Sequence, residues 1–150
     1  MQRLADPRPA GAGLLAFTMD AAGVAYLVQQ RGPAARSHQG LWELTAGGVL
    51  EPGEDALDGA LRKHWLEMGE PPELLVTASV TWLRARGSGS PSRRHTAFLA
   101  RAARRYQPQP PDPGVVSNWQ WASLEEAMRL PLHPSFAVEL AELSAAAERS

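Results

Sequence analysis

Lys63, Leu66 and Glu67 stand at positions i, i+3 and i+4, a spacing that a helix turns onto one face. Carboxylates at this spacing would suit a hard cation, because Mg2+ takes oxygen ligands and needs several at short range. This chain supplies an ammonium, an aliphatic group and one carboxylate, and the charges +1 and −1 cancel. Lys63 and Glu67 are placed to pair with each other, and the ammonium is expected to fill part of the space a metal would take. At an effective dielectric of about 20, an ammonium there repels a divalent cation by several kcal/mol. An anionic ligand has separate candidates in Arg31 and Arg36, since a guanidinium can grip phosphate or carboxylate oxygens in pairs.

Local pattern indicates the elements that must position these groups. Ala56, Leu57, Ala60, Leu61, His64, Trp65 and Met68 recur at three- and four-residue spacing, the apolar stripe of a helix. Asp55 is its expected N-cap, with Asp58 three residues on in capping-box style. Gly69 is the expected stop, and Pro71-Pro72 prevents continuation. The preceding GGVLEPG reads as a loop, since its glycines and proline break any regular period. LLAFT (14–18), GVAYLVQQ (23–30), LWELT (41–45), LLVTASVTWLRA (74–85) and HTAFLARAA (95–103) read as strands, the last two joined by RGSGSPSRR. NWQWA is a further strand, leading into a short helix capped by Ser123. A final amphipathic helix from Ser135 uses Phe136, Leu140 and Leu143. Strands and helices mix without regular βαβ alternation, which predicts an α+β fold with a mixed sheet and helices on both faces. Residues 1–13, rich in Pro, Gly and Ala, read as a flexible N-terminal arm, and residues 14–150 as a single domain.

Composition narrows the function classes. The 150 residues suffice for one domain with a substantial core. With no cysteine, disulfides, thiolate-zinc sites and a cysteine nucleophile are excluded. No apolar run reaches the roughly 20 residues of a membrane span, and the first residues lack the apolar core of a signal peptide. A cytoplasmic location is expected. A net charge of −1 argues against nucleic acid as the partner. Charge is nevertheless uneven: Arg84, Arg86, Arg93, Arg94, Arg101, Arg104 and Arg105 lie in a stretch without acids, from Glu73 to Asp112. That stretch is either a solvated strand pair or a surface for an anionic ligand. Arginine-heavy, Ala- and Pro-rich usage is the composition expected of a GC-rich bacterial genome.

The spacing of Gly48, five residues, Glu54, seven residues, Arg62, then Glu67 and Gly69 resembles the Nudix box. Its pattern is G, five residues, E, seven residues, R-E-U, any, E-E, any, G, U, with U an aliphatic. VAYLVQQRG and GLWELTAGG ahead of the box, and NWQWASLEEAMRLP after it, resemble the family's flanks, so the likeness spans residues 14–132. It implies a Nudix-type α/β/α sandwich and hydrolysis of a diphosphate linked to a nucleoside-like group. Two or three Mg2+ (or Mn2+) ions would bridge the phosphates and activate a water. By resemblance, Glu67 and the Gly47 carbonyl are metal ligands, Gly47 and Gly48 let the backbone approach metal or phosphate, and Glu54 and Arg62 brace the loop against the helix. Lys63 and Leu66 replace two of the three box glutamates, and His64 and Glu70 replace two aliphatics.

Family members often add a glutamate before the late strand; PDPGVVSNW has none, and Glu51 and Asp112 are the nearest substitutes. TAGG resembles the branch near isopentenyl-diphosphate isomerases and their hydrolase-like relatives. The isomerase itself is excluded, because Ala46 stands where its essential cysteine would fall. Two functions follow. One is a nucleoside-diphosphate pyrophosphohydrolase with a depleted metal site and weak or lost activity. The other is a non-catalytic fold that binds a nucleotide-like ligand or a protein partner. A homodimer is compatible with either, and Trp82, Trp119 and Trp121 are candidates for core packing or for that interface.

Overall fold

In a computed structural model, residues 10–84 and 93–149 are described, with side chains for 10–83 and 94–149. The elements are β1 (Ala10–Asp20), β2 (Gly23–Arg31), β3 (Trp42–Glu43), β4 (Ala46–Val49), α1 (Ala56–Met68), β5 (Leu74–Arg84), β6 (Arg93–Ala102), β7 (Val116–Ala122), α2 (Leu124–Met128) and α3 (Pro134–Glu148). The strands form one mixed sheet in the order β3-β2-β1-β6-β5, with β4 added to β1 and β7 to β2. β1 and β6 run parallel, whereas β1–β2, β1–β4 and β5–β6 are antiparallel.

β1 lies at the centre and is buried on both faces, so its core residues form a nearly continuous run. The strand period of two still sorts them. Leu15 and Phe17 point to the layer of Phe136, Leu140 and Leu143 from α3, together with Tyr26 and Val28. Ala12 and Leu14 point to Ala60 of α1, and Ala16 packs with Met68. Helices therefore cover both faces, as expected. Full burial of each such large apolar side chain contributes about 1.5–3 kcal/mol.

The site depends on a split in this sheet. β1 and β2 pair only near their turn, from Phe17–Tyr26 to Asp20–Gly23. Beyond that they part, and β4 takes the vacated edge of β1 while β3 takes that of β2. Thr45 fills the crotch. Its hydroxyl donates to the Leu27 carbonyl at 2.6 Å and accepts the Ala16 N–H at 2.9 Å, satisfying both buried backbone groups.

Two local expectations are corrected. Residues 46–49 of the supposed GGVLEPG loop and its approach are a strand, because β1 offers an unpaired edge there. A Cβ on Gly47 would lie 3.1 Å from the Ala12 carbonyl oxygen and 3.2 Å from Gly13 Cα, so glycine here permits the close strand approach. Ala10–Gly13, placed in the arm by sequence, begin β1: their small side chains suit a strand flanked closely on both edges. The remainder of that arm, residues 1–9, lies outside the described residues, as does the loop at 85–92.

The helix ends follow their sequences, except that Asp58 returns no hydrogen bond to complete the expected capping box on α1. Asp55 caps α1 by accepting the Leu57 and Asp58 N–H groups, and Gly69 ends it at φ 83°. Ser123 and Glu126 form a full capping box on α2. The α1 stripe is narrower than its sequence pattern: Gly59, Ala60, His64 and Met68 are buried, but Trp65 is 54% exposed. Among the described residues, no helix is long and apolar enough to cross a membrane.

Candidate functional site: a cleft at the split of the sheet

The parted strands open a cleft of about 640 Å3. Lys63 and Glu67 of α1 line one side, with Gly47, Gly48 and Val49 of β4. Gln29, Arg31 and Glu43 line the β2–β3 side, and Arg36 comes from the loop between these strands. His133, Phe136 and Glu139 of the α3 region, with His95 of β6, close it from the opposite layer.

Glu67 is held in place by the split. Its Oε1 accepts from Gln29 Nε2 at 2.9 Å and from the Gly47 N–H at 3.2 Å, and Gln29 also donates to the Thr45 carbonyl at 2.8 Å. Desolvation pushes its carboxyl up to about 7, with Glu43 adding to the rise; the two hydrogen bonds and the Lys63 charge oppose it.

Lys63 does not close onto Glu67 as the four-residue spacing predicts. Its side chain lies over Gly48, where a Cβ would stand 2.6 Å from Lys63 Cε and 2.9 Å from Nζ. The ammonium acts on both Glu54 and Glu67, favouring the charged form of each. Leu66 points away and is 56% exposed.

Glu54 and Arg62 form the expected brace and stay outside the cleft lining. Arg62 donates from Nε to Oε2 at 2.8 Å and from Nη2 to Oε1 at 2.9 Å, while Oε1 also accepts the Glu51 N–H at 3.0 Å. These hydrogen bonds hold the Glu54 carboxyl down at about 2. Glu51 sits 3.9 Å from Arg62 and faces solvent, and Asp112 accepts the Gly114 N–H within its own turn. Neither substitute carboxylate reaches the cleft.

Arg31 and Arg36 both line the cleft, but they differ. Arg31 is committed to Glu43 at 2.7 Å and to the Ser37 carbonyl at 2.8 Å, whereas Arg36 is exposed at the rim. The arginine-rich stretch is elsewhere: Arg94, Arg101, Arg104 and Arg105 are exposed and none lines the cleft. The backbones of Arg84 and Arg93 pair across β5 and β6, and Arg86 lies outside the described residues. His64 is fully buried, its ring between the Gly69 carbonyl at 2.7 Å and the Tyr106 hydroxyl at 2.9 Å. The three tryptophans pack inward: Trp82 against the α3 layer, Trp119 and Trp121 against the Met68 cluster.

Sequence reasoning missed Gln29, Glu43, His95, His133, Phe136 and Glu139 as site residues. Glu43 had a signal, an acid in a short apolar strand. His95 and Glu139 had none, for they meet at 4.0 Å across 44 residues of chain and are both almost fully buried.

A family profile described as NUDIX domain matches residues 7–143, through the split sheet, the cleft and α1. The chain belongs to this family. Solved structures extend the likeness. A Nudix hydrolase from M. smegmatis, RenU, is 29% identical with a TM-score of 0.78, covering 95% of this chain and 87% of its own. A C. elegans Ap4A hydrolase binary complex is 20% identical with a TM-score of 0.71, covering 95% of this chain and 99% of its own. The NUDIX domain of Shewanella oneidensis NrtR, complexed with ADP ribose, is 21% identical with a TM-score of 0.71, covering 97% of this chain and 90% of its own. No curated protein matches the chain. The Nudix fold places it in a pyrophosphohydrolase family whose members generally use divalent metals.

Proposed function

We propose that the cleft takes a nucleotide-like diphosphate and that Mg2+-dependent hydrolysis there is weak or lost. The observation that carries this reading is the α1 wall, which presents Lys63 over Gly48 and a single carboxylate, Glu67. Among the described residues, no group of three or more His, Asp or Glu side chains could hold a metal ion. Glu67 and the Gly47 carbonyl do not fit Mg2+, which wants a near-octahedral shell of oxygens, and the other cleft carboxylates are engaged, Glu43 by Arg31 and Glu139 against His95. No hydrolytic step is therefore assigned to a metal here.

The second reading, a Nudix fold that only binds its ligand, is favoured by the same lysine. The ADP-ribose complex of the NrtR domain supports a nucleoside diphosphate derivative as ligand class. Kinship with the isopentenyl-diphosphate branch stays a resemblance of TAGG, and Thr45 has a structural reason of its own to be there.

The test is turnover of a panel of nucleoside diphosphate derivatives, ADP-ribose included, with Mg2+ or Mn2+, beside calorimetric titration of the metals alone. Binding of a diphosphate with little turnover and weak metal uptake is expected. Tight metal binding with rapid metal-dependent turnover would overturn the reading.

A further inference from the structure

The proposed diphosphate site raises a question of charge. Where the family implies divalent cations, what neutralises the phosphates? Lys63 is half-buried, lines the cleft and lies flat against Gly48, the backbone position where a missing Cβ leaves room for its Cε and Nζ. The other cations near the box are committed. Arg62 is bound to Glu54 and Arg31 to Glu43.

The carboxylates nearest Lys63 already have other partners, Glu54 through both oxygens and Glu67 through Oε1. Among the described residues, Lys63 has no carboxylate within ion-pair distance. A half-buried ammonium gains when an anion arrives, because three N–H donors and a full charge replace partial hydration. Arg36, exposed at the rim of the same cleft, offers a second charge for the far end of an extended anion.

We propose that the Lys63 ammonium is the phosphate-binding cation of this cleft, so that a diphosphate is held without a divalent metal. This rests on the reading of the cleft as a diphosphate site. It reverses the usual sign of the metal effect. Mg2+ neutralises the free diphosphate and is itself repelled by Lys63, so it weakens binding.

The test is calorimetry on the full chain with inorganic pyrophosphate and with ADP-ribose, first in EDTA and then in excess Mg2+. Binding in EDTA that excess Mg2+ weakens is the expected result. Lys63→Met is expected to weaken binding in EDTA about 10- to 100-fold, the value of one charge-assisted hydrogen bond, while Lys63→Arg keeps most of it. Lys63→Glu is expected to lose binding in EDTA and regain it only with Mg2+ or Mn2+. Unchanged thermal melting of each variant separates lost binding from lost folding. The proposal is overturned if wild type binds only with Mg2+, or if folded Lys63→Met binds as wild type does. Those results leave the diphosphate reading standing, whereas failure to bind in either condition removes both.

Discussion

Arg62 grips Glu54 through two hydrogen bonds, Nε to Oε2 at 2.8 Å and Nη2 to Oε1 at 2.9 Å, and so ties the segment before α1 to the helix itself. The bond survives in a chain where two other charged positions of the same box have changed. Its worth should therefore appear in stability. Glu54 is held down from 4.5 to about 2, so its contribution is complete above pH 4.5 and is lost as pH falls toward about 2. Glu54→Gln should lower the melting temperature at neutral pH and flatten the acid limb between those values. Melting curves against pH read both effects.

Thr45 should matter more than an ordinary threonine. Its hydroxyl serves the Ala16 N–H and the Leu27 carbonyl, both buried where β1 and β2 part. Thr45→Val keeps the shape and orphans both groups, at about 1–3 kcal/mol for each. Urea denaturation should show a lower midpoint with little change in slope, while Thr45→Ser retains much of the stability.

His64 gives a second pH dependence of defined sign. Its Nδ1–H donates to the Gly69 carbonyl, which leaves Nε2 to accept from the Tyr106 hydroxyl. Burial lowers its affinity for a proton below the ordinary value of 6.5. The unfolded chain thus takes a proton first, and stability falls as pH drops through 6.5. His64→Phe should remove that slope and cost about 2–3 kcal/mol through the unpaired Tyr106 hydroxyl and Gly69 carbonyl. Denaturation midpoints on either side of pH 6.5 measure it.

Two glycines should respond differently to alanine. Gly69 has φ 83° and ψ −171°, a region almost confined to glycine, and would place a Cβ 2.8 Å from the Gln109 carbonyl oxygen, so Gly69→Ala should cost about 1–3 kcal/mol. At Gly48 the nearest atoms to an added methyl are Cε, Nζ and Cδ of the flexible Lys63 side chain, which can swing aside. Gly48→Ala should leave stability near wild type while displacing Lys63. Thermal melts of the two variants side by side test the contrast.

Local chemistry in the sequence determined most of the elements. The α1 stripe, its Asp55 cap and Gly69 stop, the Ser123 box and the Phe136–Leu140–Leu143 face depend on neighbours three or four residues away. The framework spacing of Gly48, Glu54 and Arg62 was likewise enough to indicate the family. Tertiary structure decided what depends on distant partners. Ala46–Val49 became a strand because β1 had an open edge, a condition that no local period records. Glu67 met Gln29 across 38 residues where the sheet splits, and His95 met Glu139 across 44 where α3 packs on β6. Lys63 was legible as a replaced carboxylate, but its direction was not. A flexible four-carbon stem goes where space and charge allow, and the space was over Gly48.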